Sequence, residues 1–191
     1  MILVDTQDNP GAGGNGDSTS LIKALIEANA EGVVAGLICD PEAAQSAHAA
    51  GTGARLQMSV GAKSGFPGET AIAAEFSVEA LGDGRFVGTG PFYLGAHMDL
   101  GPMALLRVGA VRIAVASRKQ QAADQAMFRH LSVEPAEQRT LVLKSSVHFR
   151  ADFGRVASEV LIVLAPGPSP ADPGLLPFRK LRSGVRTAAP R

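Results

Sequence analysis

Short apolar runs alternate with longer polar or glycine-rich stretches along the chain. Ile2-Leu3-Val4 and Val33-Val34-Ala35-Gly36-Leu37-Ile38-Cys39 are unbroken apolar runs, the pattern of strands buried on both faces. Between them Leu21, Ile22, Leu25 and Ile26 recur at helical spacing, which predicts a helix over 18–30 with Asp17 or Ser18 as its N-cap and Gly32 as its stop. Asp40-Pro41-Glu42 opens a second helix, with proline at the first position and an acid in the first turn, and Gly51 ends it. Strand, helix, strand and helix of these lengths read as a βαβ unit with a right-handed crossover.

The middle changes rhythm. Residues 55–60 alternate, 63–68 are turn-rich and 70–81 read as one long strand. Gly82-Asp83-Gly84-Arg85 is a tight hairpin signal leading into Phe86-Val87-Gly88-Thr89, and the runs at 105–108 and 111–116 flank a turn at Gly109-Ala110. This stretch predicts an antiparallel sheet, inserted in or appended to the first unit. Helices over 122–131 and 149–158 and strands over 140–144 and 160–164 follow. The expected fold class is therefore α/β: a mixed sheet with βαβ units plus an antiparallel β block, with helices packed on the sheet. One domain is expected over 1–182. Proline, glycine and basic residues dominate from 165, so the tail is expected to dock at first and to be disordered over 183–191.

A chain of 191 residues can fill one sizeable core. Its 18 basic and 18 acidic residues cancel, which argues against nucleic acid as the partner and leaves self-association as a homo-oligomer open. Trp is absent and Tyr93 is the lone tyrosine, a poor composition for base stacking. Cys39 is the lone cysteine, excluding an intrachain disulfide and a thiolate zinc cluster. No apolar run approaches the roughly 20 residues that span a bilayer, and no secretory leader is visible, so no membrane and a cytoplasmic location are expected. Met1 stands directly before a core strand, which carries the expectation that this is the C-terminal part of a longer chain.

The candidate chemistry lies where apolar strands end. The first loop holds the spacing G-x-G-x-x-G at Gly11, Gly13 and Gly16, and a Rossmann-like nucleotide site would use those glycines with Asp40 on the ribose. Asp5, Asp8 and Asp17 crowd the place of a pyrophosphate, so the loop reads instead as suited to a cation or a peptide. Lys144-Ser145-Ser146-Val147-His148-Phe149-Arg150 follows another buried strand, and open α/β sheets place ligand sites at such carboxyl ends. Asp5, Asp8, Asn9 and His148 are thus expected to share one edge, the alternative being that these polar groups only cap and pair. Ser117-Arg118-Lys119-Gln120-Gln121 forms a third strand-end group. Arg118 there can hold a carboxylate in bidentate fashion or simply occupy a surface turn. His48 reads as a surface residue, His130 as a cation at a helix C-terminus, and His97 pairs by spacing with Asp99. No histidine pair has helical zinc spacing, and no Gly-x-Ser-x-Gly elbow is present.

Asp5-Thr6-Gln7-Asp8-Asn9-Pro10-Gly11, with Gly13-Gly14 and Gly16-Asp17, resembles the ADNPGGGxxGD signature of the MlrC-like (microcystinase C) metallopeptidases. Thr89-Gly90-Pro91, Asp99-Leu100-Gly101, Ser117-Arg118 with Gln120, and 144–150 with Phe153 are similar to its later motifs in the same order. The glycine run departs from the signature at Ala12, and the chain diverges from the closing motif after Arg182. The resemblance implies the family's C-terminal domain, normally preceded by a larger N-terminal metallopeptidase domain that carries the main zinc ligands. It implies zinc as cofactor, a small or linearised peptide as substrate, and little activity for this chain alone; which residues here touch metal stays open. On that reading His148, Asp8 and Asn9 are catalytic candidates, while Asp5, Arg118, Gln120, Lys144, Ser145, Ser146 and Arg150 contact substrate. The alternatives are the nucleotide-binding domain above and a non-catalytic dimerisation or interaction module.

Overall fold

A computed structural model describes residues 1–187. Ten strands run β1 (Ile2–Asp5), β2 (Val33–Cys39), β3 (Arg55–Val60), β4 (Ile72–Gly82), β5 (Arg85–Val87), β6 (His97–Asp99), β7 (Met103–Val108), β8 (Val111–Ala116), β9 (Thr140–Leu143) and β10 (Val160–Val163). Four helices accompany them: α1 (Ser20–Glu27), α2 (Pro41–Ala50), α3 (Ala126–Arg129) and α4 (Arg150–Phe153). Eight strands form a single sheet in the order β10-β1-β9-β2-β8-β7-β4-β3, parallel from β10 to β8 and antiparallel from β8 to β3. The α/β mixed class is as expected.

The connectivity differs from the sequence reading in two places. β1 and β2 are not neighbours, because β9 slots between them and pairs with both. The tight turn after β4 does not fold β5 back onto it; β5 leaves to pair with β6 in a separate two-stranded sheet. The antiparallel block is present as expected, and β7 pairs directly with β8 so that it continues the parallel half.

Both faces of the sheet are covered. On one side Ile22 of α1 and Ala43, Ala44 and Ala47 of α2 pack on Val33, Ala35, Ile38 and Phe76. On the other, Met127, Phe128, Phe149 and Phe153 pack on Ile2, Val4, Val34 and Leu37. The alternation within β2 thus places side chains in both cores, which is why its run is uninterrupted. Each fully buried phenylalanine stabilises the fold by about 1.5–3 kcal/mol relative to exposure. The helices predicted over 149–158 and 122–131 shrink to the single turns α4 and α3. The tail docks first through Gln7, whose backbone and side chain bond Ser169, Ala165 and Ala171. Residues 183–187 are largely exposed, and the remainder of the expected disordered tail, 188–191, lies outside the described residues.

Candidate functional site at the strand-end edge

Parallel pairing of β1, β9, β2 and β8 puts Asp5, Leu143, Cys39 and Ala116 at one edge of the sheet. The loops that follow carry the polar groups of the three strand-end motifs. They divide into a buried layer and an exposed one.

Lys144 anchors the buried layer. Its ammonium is 2.8 Å from Asp5 Oδ2, 2.9 Å from Asp8 Oδ2 and 2.6 Å from Ser18 Oγ, so all three of its donors are used. Asp8 also accepts from the amides of Gly16 at 2.8 Å and Ser18 at 2.7 Å. Burial pushes the Asp8 carboxyl up, but Lys144 and these two amides outweigh it and hold the carboxyl below its ordinary range. Asp5, Asp8 and Lys144 are each at most 2 % exposed. They are closed off from solvent, with the Lys144 ammonium lying between the two carboxylates. Ser145 is likewise buried, and its hydroxyl has no partner among the described residues, as is true of Asp5 Oδ1.

The same bonds argue against a nucleotide. The Gly16 and Ser18 amides are taken by Asp8, and Glu69 accepts from the amides of Thr19 and Ser20 at the start of α1. These are the donors a pyrophosphate would need. Asp40 is fully buried, with one oxygen capping α2 at Ala43 and the other on the Gly61 amide, so it is not presented to a ribose. The Gly61 and Ala62 amides bond Asp40 and Asp17, and Glu69 reaches α1, so the loop from β3 to β4 closes beside the glycine loop.

In the outer layer two strand ends meet directly. Asn9 Nδ2 donates to Ser146 Oγ at 3.0 Å, while Asn9 Oδ1 accepts from the Gly11 amide and caps the following turn. Ser146 Oγ also accepts from Thr6 Oγ1 at 2.9 Å. His148 is exposed, and its Nδ1 lies 3.2 Å from Gln121 Oε1. Gln121 Nε2 donates to the Tyr93 hydroxyl, which in turn donates to Gln120 Oε1. The contact with Gln121 is the hydrogen bond His148 makes among the described residues, and its Nε2 has no partner there. Gln121 also presses on the glycine loop: a Cβ added at Gly11 would meet its Oε1 at 2.5 Å. Asn9, Gly11, Gln121 and His148 therefore form a continuous contact chain. Gln120 serves the Tyr93 relay within it.

Phe92 stacks on His148 with centroids 4.0 Å apart and meets Tyr93 edge-on. The segment carrying it is pinned by buried Asp124, which accepts from Gly90 N and Thr89 Oγ1. Arg150 is exposed, its guanidinium 5.1 Å from the Phe149 ring centre. Arg118 reaches the same edge but is paired with Asp99 at 2.7 Å. A depression of about 470 Å³ opens beside Thr6, Ser146 and Leu176. Among the sequence-level histidines, His130 is the C-cap residue of α3 as expected, and its Nε2 also accepts from the Gly84 amide and buttresses the turn after β4. His97 lies in the small sheet, and His48 contacts the Met103 carbonyl. Phe92, Tyr93, Gln121 and Asp124 were not read as site residues. The motif context of Thr89-Gly90-Pro91 and the strand-end group that ends in Gln120-Gln121 pointed near them.

The residues described do not fit a zinc site of their own. No group of three His, Cys, Asp or Glu side chains among them is placed to hold a metal ion, and no helix among them is long and apolar enough to cross a membrane. Fold and site together define a mixed-sheet α/β domain with a histidine-bearing strand-end edge. The chain belongs to the family described as MlrC C-terminus, which it matches over residues 3–180. It is 31 % identical over 163 residues to Microcystinase C of Sphingomonas sp, covering 85 % of this chain and 31 % of that protein. It is also similar to a crystal structure from Mesorhizobium sp. BNC1 described as a "putative metallopeptidase", with TM-score 0.81 and 26 % identity over 95 % of this chain and 37 % of that one. The chain thus spans about a third of the length of these relatives.

Proposed function

We propose that this chain forms the substrate-side C-terminal domain of a zinc-dependent metallopeptidase resembling microcystinase C, acting on small or linearised peptides. The zinc is held by an N-terminal domain outside this chain, because the carboxylates here are closed around Lys144. The observation that carries the reading is the exposed His148, fixed by Phe92 and Gln121 beside Asn9 and Ser146. With a proton on Nε2, an imidazole positioned at such an edge can donate to the oxygen that gains charge as a peptide carbonyl is attacked. Arg150 and Arg118 supply positive charge for substrate carboxylate or carbonyl oxygens, with Arg118 sharing its charge with Asp99. Asp5, Asp8 and Lys144 hold the loop that presents Asn9, and the chain alone is inactive.

The test uses the longer protein that includes the preceding domain. Chelation is expected to abolish peptide hydrolysis and zinc to restore it. His148→Ala is expected to lower kcat by about 100-fold or more with zinc content and melting temperature unchanged. Hydrolysis that survives complete metal removal overturns the peptidase class, and an unaffected kcat in His148→Ala removes this edge from the chemistry.

A further inference from the structure

The loop after β9 does more than present His148. Val147 and Phe92 are 63 % and 42 % exposed, and with His148, Pro91 and Ala151 they line a depression of about 400 Å³. Arg150 stands on its rim. Its guanidinium makes no ion pair among the described residues. Exposed apolar side chains at this density, beside an uncommitted cation, are costly to leave in water and complementary to an amphiphilic group. The floor is rigid. Phe92 is stacked on His148, and its segment is tied through Gly90 to Asp124 and packed on Asp152, whose Oδ2 lies 2.6 Å from where a Gly90 Cβ would stand.

We infer that this depression is a subsite for a large apolar or aromatic side chain whose own residue bears a carboxylate, the side chain lying on Phe92 and Val147 and the carboxylate on Arg150. A peptide's C-terminal hydrophobic residue has this chemistry. The inference rests on the peptide reading above and narrows it, since His148 borders the depression and would then face the peptide bond preceding that residue.

The probe is N-acetylphenylalanine, titrated into the 191-residue chain by calorimetry and by NMR shifts, with N-acetylphenylalaninamide and N-acetylalanine as controls. Each control is expected to bind at least about tenfold more weakly, one for lack of charge and the other for lack of apolar surface. Arg150→Gln is expected to erase the preference for the acid over the amide. Val147→Asp is expected to weaken the acid by a similar factor, with the melting temperature unchanged because the side chain is exposed. Equal binding of acid and amide, or no binding at all, overturns the subsite, and chelator-sensitive hydrolysis by the longer protein would then still stand. Selective binding together with metal-independent hydrolysis would instead keep the subsite and overturn the peptidase class. Binding to this chain that vanishes in the longer protein also overturns the subsite and assigns the apolar patch to a contact with the preceding domain.

Discussion

Removing the Lys144 ammonium would leave the Asp5 and Asp8 carboxylates buried without a counter-charge, at most 2 % exposed and unable to recruit water. Breaking a buried pair from one side costs about 3–5 kcal/mol, far more than the roughly 0–1 kcal/mol of an exposed pair such as Arg55–Glu75. Lys144→Met is therefore expected to lower unfolding stability by that amount in urea titrations, and adding Asp8→Asn is expected to return part of the loss through coupling. The acid limb belongs to the same cluster. Burial raises the Asp8 carboxyl, while Lys144 and the Ser18 and Gly16 amides lower it further, so its folded value lies below 3.8. A lowered carboxyl stabilises the fold above its ordinary value, and that contribution is lost as pH falls through the folded value below it. Asp8→Asn is expected to flatten stability against pH below about pH 4, read by urea midpoints. An unchanged slope would show that other carboxylates carry the acid limb. The sequence showed Lys144 as a polar group after a buried strand but not that it turns inward. Its partners lie 139 and 136 residues away, and no local pattern encodes that meeting.

At the scale of elements, the second helix was legible almost to the residue because its signals are local. Asp40 caps it, Pro41 starts it and Gly51 stops it. What was not legible is that Asp40 also holds the Gly61 amide at 2.8 Å and so couples α2 to the end of β3. Asp40→Ala is expected to cost about 1 kcal/mol for the cap and about 1–3 kcal/mol for the buried Gly61 amide. Hydrogen exchange gives the diagnostic pattern, with protection lost at both Ala43 and Gly61. Loss at Ala43 alone would reduce Asp40 to a helix cap. The glycine spacing at 11, 13 and 16 misleads at this same scale. Such a pattern counts amides without saying who occupies them, and here Asp8 and Glu69 do. The short turns α3 and α4 fell below what periodicity can resolve, since four residues complete barely one turn.

For the whole molecule, strand content was readable from apolar runs, but strand order was not. β9 is four residues long, and nothing in Thr140-Leu141-Val142-Leu143 says that it inserts between β1 and β2. That insertion brings 144–150 against the glycine loop and so creates the edge where Asn9, Ser146 and His148 gather. The edge has hydrogen-bonding groups, an imidazole and free positive charge, whereas its carboxylates are neutralised inside. On the proposed function, metal binding and substrate binding would be divided between a preceding domain and this chain. The 191-residue chain, equilibrated with zinc and passed through a desalting column, is expected to retain well under about one zinc per chain, because no group of three His, Cys, Asp or Glu side chains among the described residues is placed to hold a metal ion. A longer protein with the preceding domain is expected to keep zinc, and to keep it unchanged in His148→Ala. Stoichiometric zinc on this chain alone, lost in His148→Ala, would return the metal to the strand-end edge and overturn the division.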